Sequence, residues 1–212
     1  IDLVDATNIE RNLYLTTQLI ETGVPVVIAL NMADLVAKRG IKIDVKRLSM
    51  LLDCPIIETS ALKGEGLDKL IDEAVKVAKK SEIDLPKDIF SEELEGAVAE
   101  VKKEVDLPKE IFSKELEEAV AEVEGVLPAD ITENKKRWYA VKFLENDSKV
   151  VESMKLSGAA AQTVEAQRKA LEKKHDDDME SIVTDERYKF IQKIVSTTVQ
   201  KGKEKLTTSD KI

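Results

Sequence analysis

Apolar runs alternate with helical periodicity over the first 80 residues. Ile1-Asp2-Leu3-Val4-Asp5-Ala6 reads as a strand. Thr7 or Asn8 can cap the helix that follows, because either side chain can accept from an orphan N–H of the first turn. That helix carries Ile9, Leu13, Tyr14 and Ile20 at near-helical spacing and is expected to stop at Gly23. Residues 24–30 are apolar without alternation, the pattern of a strand buried on both faces of a parallel sheet. A helix over 44–52 and a strand over 55–58 follow. The series closes with a helix carrying Leu67, Leu70, Ile71, Ala74, Val75 and Ala78 on one face. Strand-helix repetition of this kind predicts a doubly wound parallel α/β sheet.

After Lys80 the pattern is helical only. Asp84-Leu85-Pro86-Lys87-Asp88-Ile89-Phe90-Ser91 recurs 22 residues later as Asp106-Leu107-Pro108-Lys109-Glu110-Ile111-Phe112-Ser113. The helices behind them match as well, Leu94, Ala97, Val98 and Val101 answering to Leu116, Ala119, Val120 and Val123. Both sets follow i, i+3, i+4, i+7. Ser91 and Ser113 stand where N-caps belong. Residues 84–105 and 106–127 thus read as a local duplication, with a decayed third start at Leu127-Pro128-Ala129-Asp130-Ile131. Further helices are predicted around Arg137 to Leu144, over 159–174 and from about Asp185 through Val195, with a frayed polar tail over 201–212. The fold class is α/β followed by all-α, divided at residue 80 into domains 1–80 and 81–212.

Composition narrows the function classes. A formal net charge of −9, with only 4% aromatic residues, argues against nucleic acid as a partner, since no basic stripe with interleaved aromatics is present. Cys54 is the only cysteine, so no internal disulfide forms. Its place beside Pro55 suits a small buried hydrophobe. No apolar stretch nears the roughly 20 residues that span a bilayer. Ile1 lies inside an apolar run, which predicts a fragment of a longer protein. His175-Asp176-Asp177-Asp178 fits a solvated helix end better than a metal site, and no metal ligands are nominated. Trp138 and Tyr139 are expected to anchor the helical core.

The chemistry concentrates in two short polar segments. Asn31-Met32-Ala33-Asp34 follows the apolar run 24–30, and Ser60-Ala61-Leu62 follows the strand at 55–58. Strand C-termini are where open α/β sheets bind ligands. Guanine presents N1–H and an N2 amino group on one edge, which a carboxylate accepts as a bidentate, charge-assisted pair. Adenine lacks that pair of donors and would leave the carboxylate desolvated and unmatched. Asp34 is the candidate carboxylate. Asn31 would brace the two segments and could reach guanine N7, and the Ala61 N–H would donate to O6. Met32, Ser60 and Leu62 complete the candidate guanine-binding set, with Gly64 and Gly66 permitting a tight exit toward the next helix. The unadorned alternative is a pair of loops satisfying their own turns.

These segments resemble the fourth and fifth GTPase motifs, with Met32 where many GTPases carry Lys. The Met form, together with Val4-Asp5-Ala6-Thr7-Asn8-Ile9-Glu10-Arg11-Asn12-Leu13-Tyr14-Leu15, resembles the ferrous iron transport protein B family. So do Arg137-Trp138-Tyr139-Ala140-Val141-Lys142-Phe143-Leu144-Glu145-Asn146-Asp147, Glu186-Arg187-Tyr188-Lys189-Phe190-Ile191 and Leu206-Thr207-Thr208-Ser209-Asp210-Lys211-Ile212. The duplication departs from the usual pattern. The resemblance implies the C-terminal half of a GTPase domain, a helical regulatory domain, GTP or GDP as ligand, and Mg²⁺ in the intact parent. It also implies a membrane region as partner and a place at the cytoplasmic face of the cell membrane.

The G-x-x-x-x-G-K-[ST] phosphate loop, the switch threonine and D-x-x-G are absent from the sequence. No residue is nominated as catalytic, and the isolated chain is expected to bind GTP weakly or not at all. It is also expected to self-associate through an exposed sheet edge at 1–6. Two alternatives are a non-enzymatic helical interaction module carrying a vestigial α/β half, and a fragment of another GTPase family.

Overall fold

The computed structural model describes residues 1–82, 111–156 and 158–200. In chain order the first elements are β1 (Asp2–Asp5), a 3-10 turn (Ala6–Asn8), α1 (Ile9–Glu21), β2 (Ile28–Asn31), α2 (Ala33–Lys38) and β3 (Lys42–Ile43). Next come α3 (Val45–Leu52), β4 (Ile56–Glu58) and α4 (Leu67–Glu82). The helical part holds α5 (Lys114–Val126), α6 (Glu133–Leu144), α7 (Ser148–Ser153), α8 (Gly158–His175) and α9 (Met179–Thr198), after which the chain enters β5 (Val199–Gln200). The parallel sheet and the helical half match the fold class read from the pattern.

Among the described residues the main sheet is three-stranded in the order β1-β2-β4, and both pairs are parallel. The central strand β2 buries Ile28, Ala29 and Leu30 in succession, which explains the run without alternation. Its register sets Ala29 between Leu3 of β1 and Ile57 of β4. Leu70 of α4 packs on Val27 and Ala29, with Ile57, Ala74 and Val77 around them. Strand β2 starts four residues later than the apolar run, because Val24 to Val27 serve as the approach to the sheet. The backbone at Gly23 takes φ +71°, and a Cβ there would meet the Asn134 carbonyl oxygen at 2.0 Å.

Two local expectations are corrected, and one pairing is new. The turn after β1 is capped by Asp5, whose Oδ1 accepts from the Thr7 N–H and hydroxyl at 2.8 Å each, so Thr7 donates and does not cap. Residues 33–38 form a short helix where a loop was expected. Val199–Gln200, just before the expected polar tail, pairs antiparallel with Lys42–Ile43. That pairing is continued by the Asp44 N–H donating to the Thr198 carbonyl at 2.8 Å.

The described residues divide into two compact units within the following bounds. One comprises Ile1–Asn12, Pro25–Lys109 and Ile194–Ile212; the other comprises Leu13–Val24 and Glu110–Lys193. In the second unit, Leu116, Ala119, Val120 and Val123 of α5 are all buried, as the duplicated i, i+3, i+4, i+7 pattern requires. The matching residues of the first copy lie outside the described residues. Ser113 holds the N-cap backbone position without a side-chain cap bond; instead the Phe112 N–H donates to Glu117 at 3.0 Å and the Ser113 N–H to Glu186 at 2.8 Å. Trp138 and Tyr139 pack against this core with their rings edge to face, 4.9 Å apart. Helix α9 starts at Met179, earlier than the periodicity indicated, because Asp178 caps it by accepting from the Ser181 N–H at 2.9 Å.

Candidate functional site

Asn31 is the last residue of β2, and Thr59-Ser60-Ala61 leaves the end of adjacent β4. The ladder continues into both segments: the Thr59 N–H donates to the Leu30 carbonyl at 2.9 Å, and the Ala33 N–H to the Thr59 carbonyl at 3.2 Å. The two segments therefore meet at one rim of the sheet because β2 and β4 are hydrogen-bonded neighbours.

Side chains lock the meeting. Asn31 Oδ1 accepts the Ala61 N–H at 3.1 Å and the Thr59 hydroxyl at 3.4 Å. This is the bracing role expected of Asn31. With Oδ1 committed to two donors, Nδ2 is the group that remains to offer a hydrogen bond to an acceptor such as a purine N7. The Ala61 N–H, expected to serve guanine O6, is engaged by Asn31 in this arrangement.

Asp34 lies in the first turn of α2. The residue before that helix, Met32, adopts a left-handed backbone with φ 64° and ψ 27°. A non-glycine residue in that region carries strain of order 1–2 kcal/mol. The turn it makes lets the chain pass from β2 into α2 within one residue. The Asp34 carboxylate accepts the Ser60 hydroxyl at 3.1 Å on Oδ1, and Lys63 Nζ stands 3.8 Å from Oδ2. The ammonium is also 4.0 Å from Glu65. Sequence reasoning did not single out Lys63; its signal was a cation three residues after Ser60 in a glycine-flanked turn.

The turn itself is closed by two backbone bonds, Ser60 N–H to the Glu65 carbonyl and Glu65 N–H to the Ser60 carbonyl, each 3.1 Å. Gly66 has φ +79°, and a Cβ there would lie 2.3 Å from the Glu58 carbonyl oxygen, so only glycine fits. Leu62, in this turn, is 93% exposed. Ser60, at its start, is buried.

The arrangement is a carboxylate, an amide and a backbone N–H gathered within one rim, able to match a planar heterocycle with paired donors and a carbonyl. Among the described residues no group of three or more His, Cys, Asp or Glu side chains is placed to hold a metal ion. His175 ends α8 and the acidic residues after it lead into the cap of α9. No helix of the described residues is long and apolar enough to cross a membrane.

Comparison with known proteins adds sequence and structural relatives. Residues 1–74 match the family model described as ferrous iron transport protein B, and residues 112–200 match that of the FeoB cytosolic helical domain. The Fe(2+) transporter FeoB of Escherichia coli (strain K12) is 35% identical over 216 residues, covering 100% of this chain and 24% of that protein. The Salmonella typhimurium transporter of the same name is 49% identical over 70 residues, 33% of this chain and 9% of its own length. The chain thus spans about a quarter of the length of the E. coli relative. Among solved structures, mGMPPNP-bound NFeoB from S. thermophilus superposes with TM-score 0.73 at 36% identity, over 95% of this chain and 68% of the other. NFeoB from the same source bound to GDP.AlF4- and K+ gives TM-score 0.73 at 37% identity, over 91% and 66% of the two chains.

Proposed function

The chain belongs to the ferrous iron transport protein B family, and from that premise we propose that it is the guanine-nucleotide-binding cytoplasmic portion of a ferrous iron membrane transporter. Residues 1–80 supply the C-terminal half of the G domain, and 81–212 the helical regulatory domain that couples nucleotide state to the membrane part. Asp34 grips the N1–H and N2 amino edge of guanine. Asn31 offers Nδ2 to N7, and the Ala61 N–H turns from Asn31 to O6 when the base enters. Met32, Ser60 and Leu62 border the base. The observation that carries this reading is the Asp34–Ser60 and Asn31–Ala61 pair of cross-links at one sheet rim. The nucleotides held by the S. thermophilus relatives support it.

The residues present fit only the base half of a nucleotide. The sequence carries no phosphate loop and no Mg²⁺-binding motif, so Mg²⁺ is left to the intact parent and no catalytic step is assigned here. Binding of GTP by the chain alone is accordingly weak. Its further partners are the transporter's membrane region and, through the outer strand β1, a second copy of itself.

The test is Asp34→Ala in the full-length natural protein that carries this chain, with GDP and ADP titrated in a calorimeter. Wild type is expected to favour GDP by at least 100-fold, as sites that hydrogen-bond their ligand reject an analogue lacking the donors. The variant should lose most of that ratio. Unchanged discrimination would refute the assignment.

A further inference from the structure

The Asp34 carboxylate is covered. Its side chain is only 8% exposed, although it stands at the rim where a ligand must reach it. One of the two groups on it is fixed: Ser60 is buried and held by the paired backbone bonds to Glu65. The other is movable. Lys63 has a long side chain, is 44% exposed, and rides on the turn between Ser60 and Gly64. A base edge that takes both carboxylate oxygens therefore competes with the ammonium at Oδ2. A destination exists, since Glu65 lies 4.0 Å from the same nitrogen and is well exposed.

We propose that Lys63 is a built-in competitor for the guanine base, standing at Asp34 Oδ2 in the empty site and shifting to Glu65 when the base binds. Nucleotide entry then becomes an exchange of one partner of Asp34 for another. The Ala61 N–H behaves in parallel, held by Asn31 until O6 replaces it. This inference rests on the reading of Asp34 as the guanine-recognising carboxylate. A partly exposed ion pair at 3.8 Å is screened by water, so the effect is several-fold in affinity and not many orders of magnitude.

The experiment uses the full-length natural protein containing this chain, with GDP and ADP as probes, at low and high ionic strength. Lys63→Met is expected to tighten GDP binding about 2–5-fold and to speed association. Lys63→Arg keeps the charge and should stay near wild type. Glu65→Gln removes the alternative partner and should weaken GDP binding about twofold. High salt should shrink these differences, which a merely structural role for Lys63 would not produce. If GDP is preferred over ADP yet Lys63→Met binds GDP unchanged or more weakly, the competitor role is overturned and the Asp34 reading stands. If wild type does not prefer GDP at all, the Asp34 reading falls and the competitor role falls with it.

Discussion

Arg187 is 1% exposed, yet it carries a full charge. Its guanidinium donates to both Glu21 oxygens at 3.2 and 2.7 Å and to Glu145 at 2.9 Å. The rings of Tyr14 and Phe112 lie 5.9 and 5.8 Å from it. Burial works against its charge, but the bonds and charge of Glu21, then Glu145, outweigh that and raise its pKa above the usual arginine range. Arg187→Met would leave the buried Glu21 carboxylate without its cation and take from Glu145 one of its two, Lys142 remaining at 2.6 Å. Urea unfolding should show a loss of about 3–5 kcal/mol; a loss below about 1 kcal/mol would contradict the network's importance. Cys54 is the opposite case. Burial first, then Asp53 and Asp2, push its thiol up to about 12. Iodoacetamide at pH 8 should leave it unmodified in the folded chain and label it in guanidinium, because the thiolate is the reactive form. Cys54 was legible as a buried residue from its neighbours. Arg187 was not, since its Glu21 partner lies 166 residues away and no spacing rule reaches that far.

At the scale of elements, the turn capped by Asp5 has a pH signature. Burial raises the Asp5 pKa, but bonds from the Thr7 hydroxyl and N–H, then Asn8, more than offset this and leave it below the ordinary value of 3.8. A carboxyl depressed on folding stabilises the fold above the unfolded pKa, and that contribution is lost as pH falls through the folded pKa. Wild type should therefore lose more melting temperature than Asp5→Asn between pH 5 and about pH 2.5, because Asn keeps the cap without titrating. Equal losses would remove Asp5 from the account. Helix α5 makes a second prediction. Leu116 is almost fully buried among α5, α6 and α8 residues, so Leu116→Ala should cost about 2–5 kcal/mol by chemical denaturation. The pattern i, i+3, i+4, i+7 revealed that face directly. It could not reveal α2, whose six residues are too few for periodicity to register, nor β3 and β5, two residues each from opposite ends of the chain.

At the scale of the whole molecule, β1 is an outer strand of the sheet among the described residues, and its Leu3 is 66% exposed beside buried Ala29. An outer strand with an exposed apolar side chain can template further pairing. The isolated chain should show a concentration-dependent increase in mass by analytical ultracentrifugation, and Leu3→Lys should reduce it. A monomer at all concentrations would refute self-association through this edge. The sequence alone determined the parallel sheet, the helical half, the buried β2 and the residues offered at the two strand ends, because burial imposes local periodicity and strand ends need short polar exits. Only the tertiary structure decided that Asn31 takes the Ala61 N–H, that Lys63 stands over Asp34, that Glu21 neutralises Arg187 and that Val199 pairs with Ile43. Each of those contacts joins residues by geometry that the chain acquires only when folded, so no pattern of neighbours along it encodes their distance.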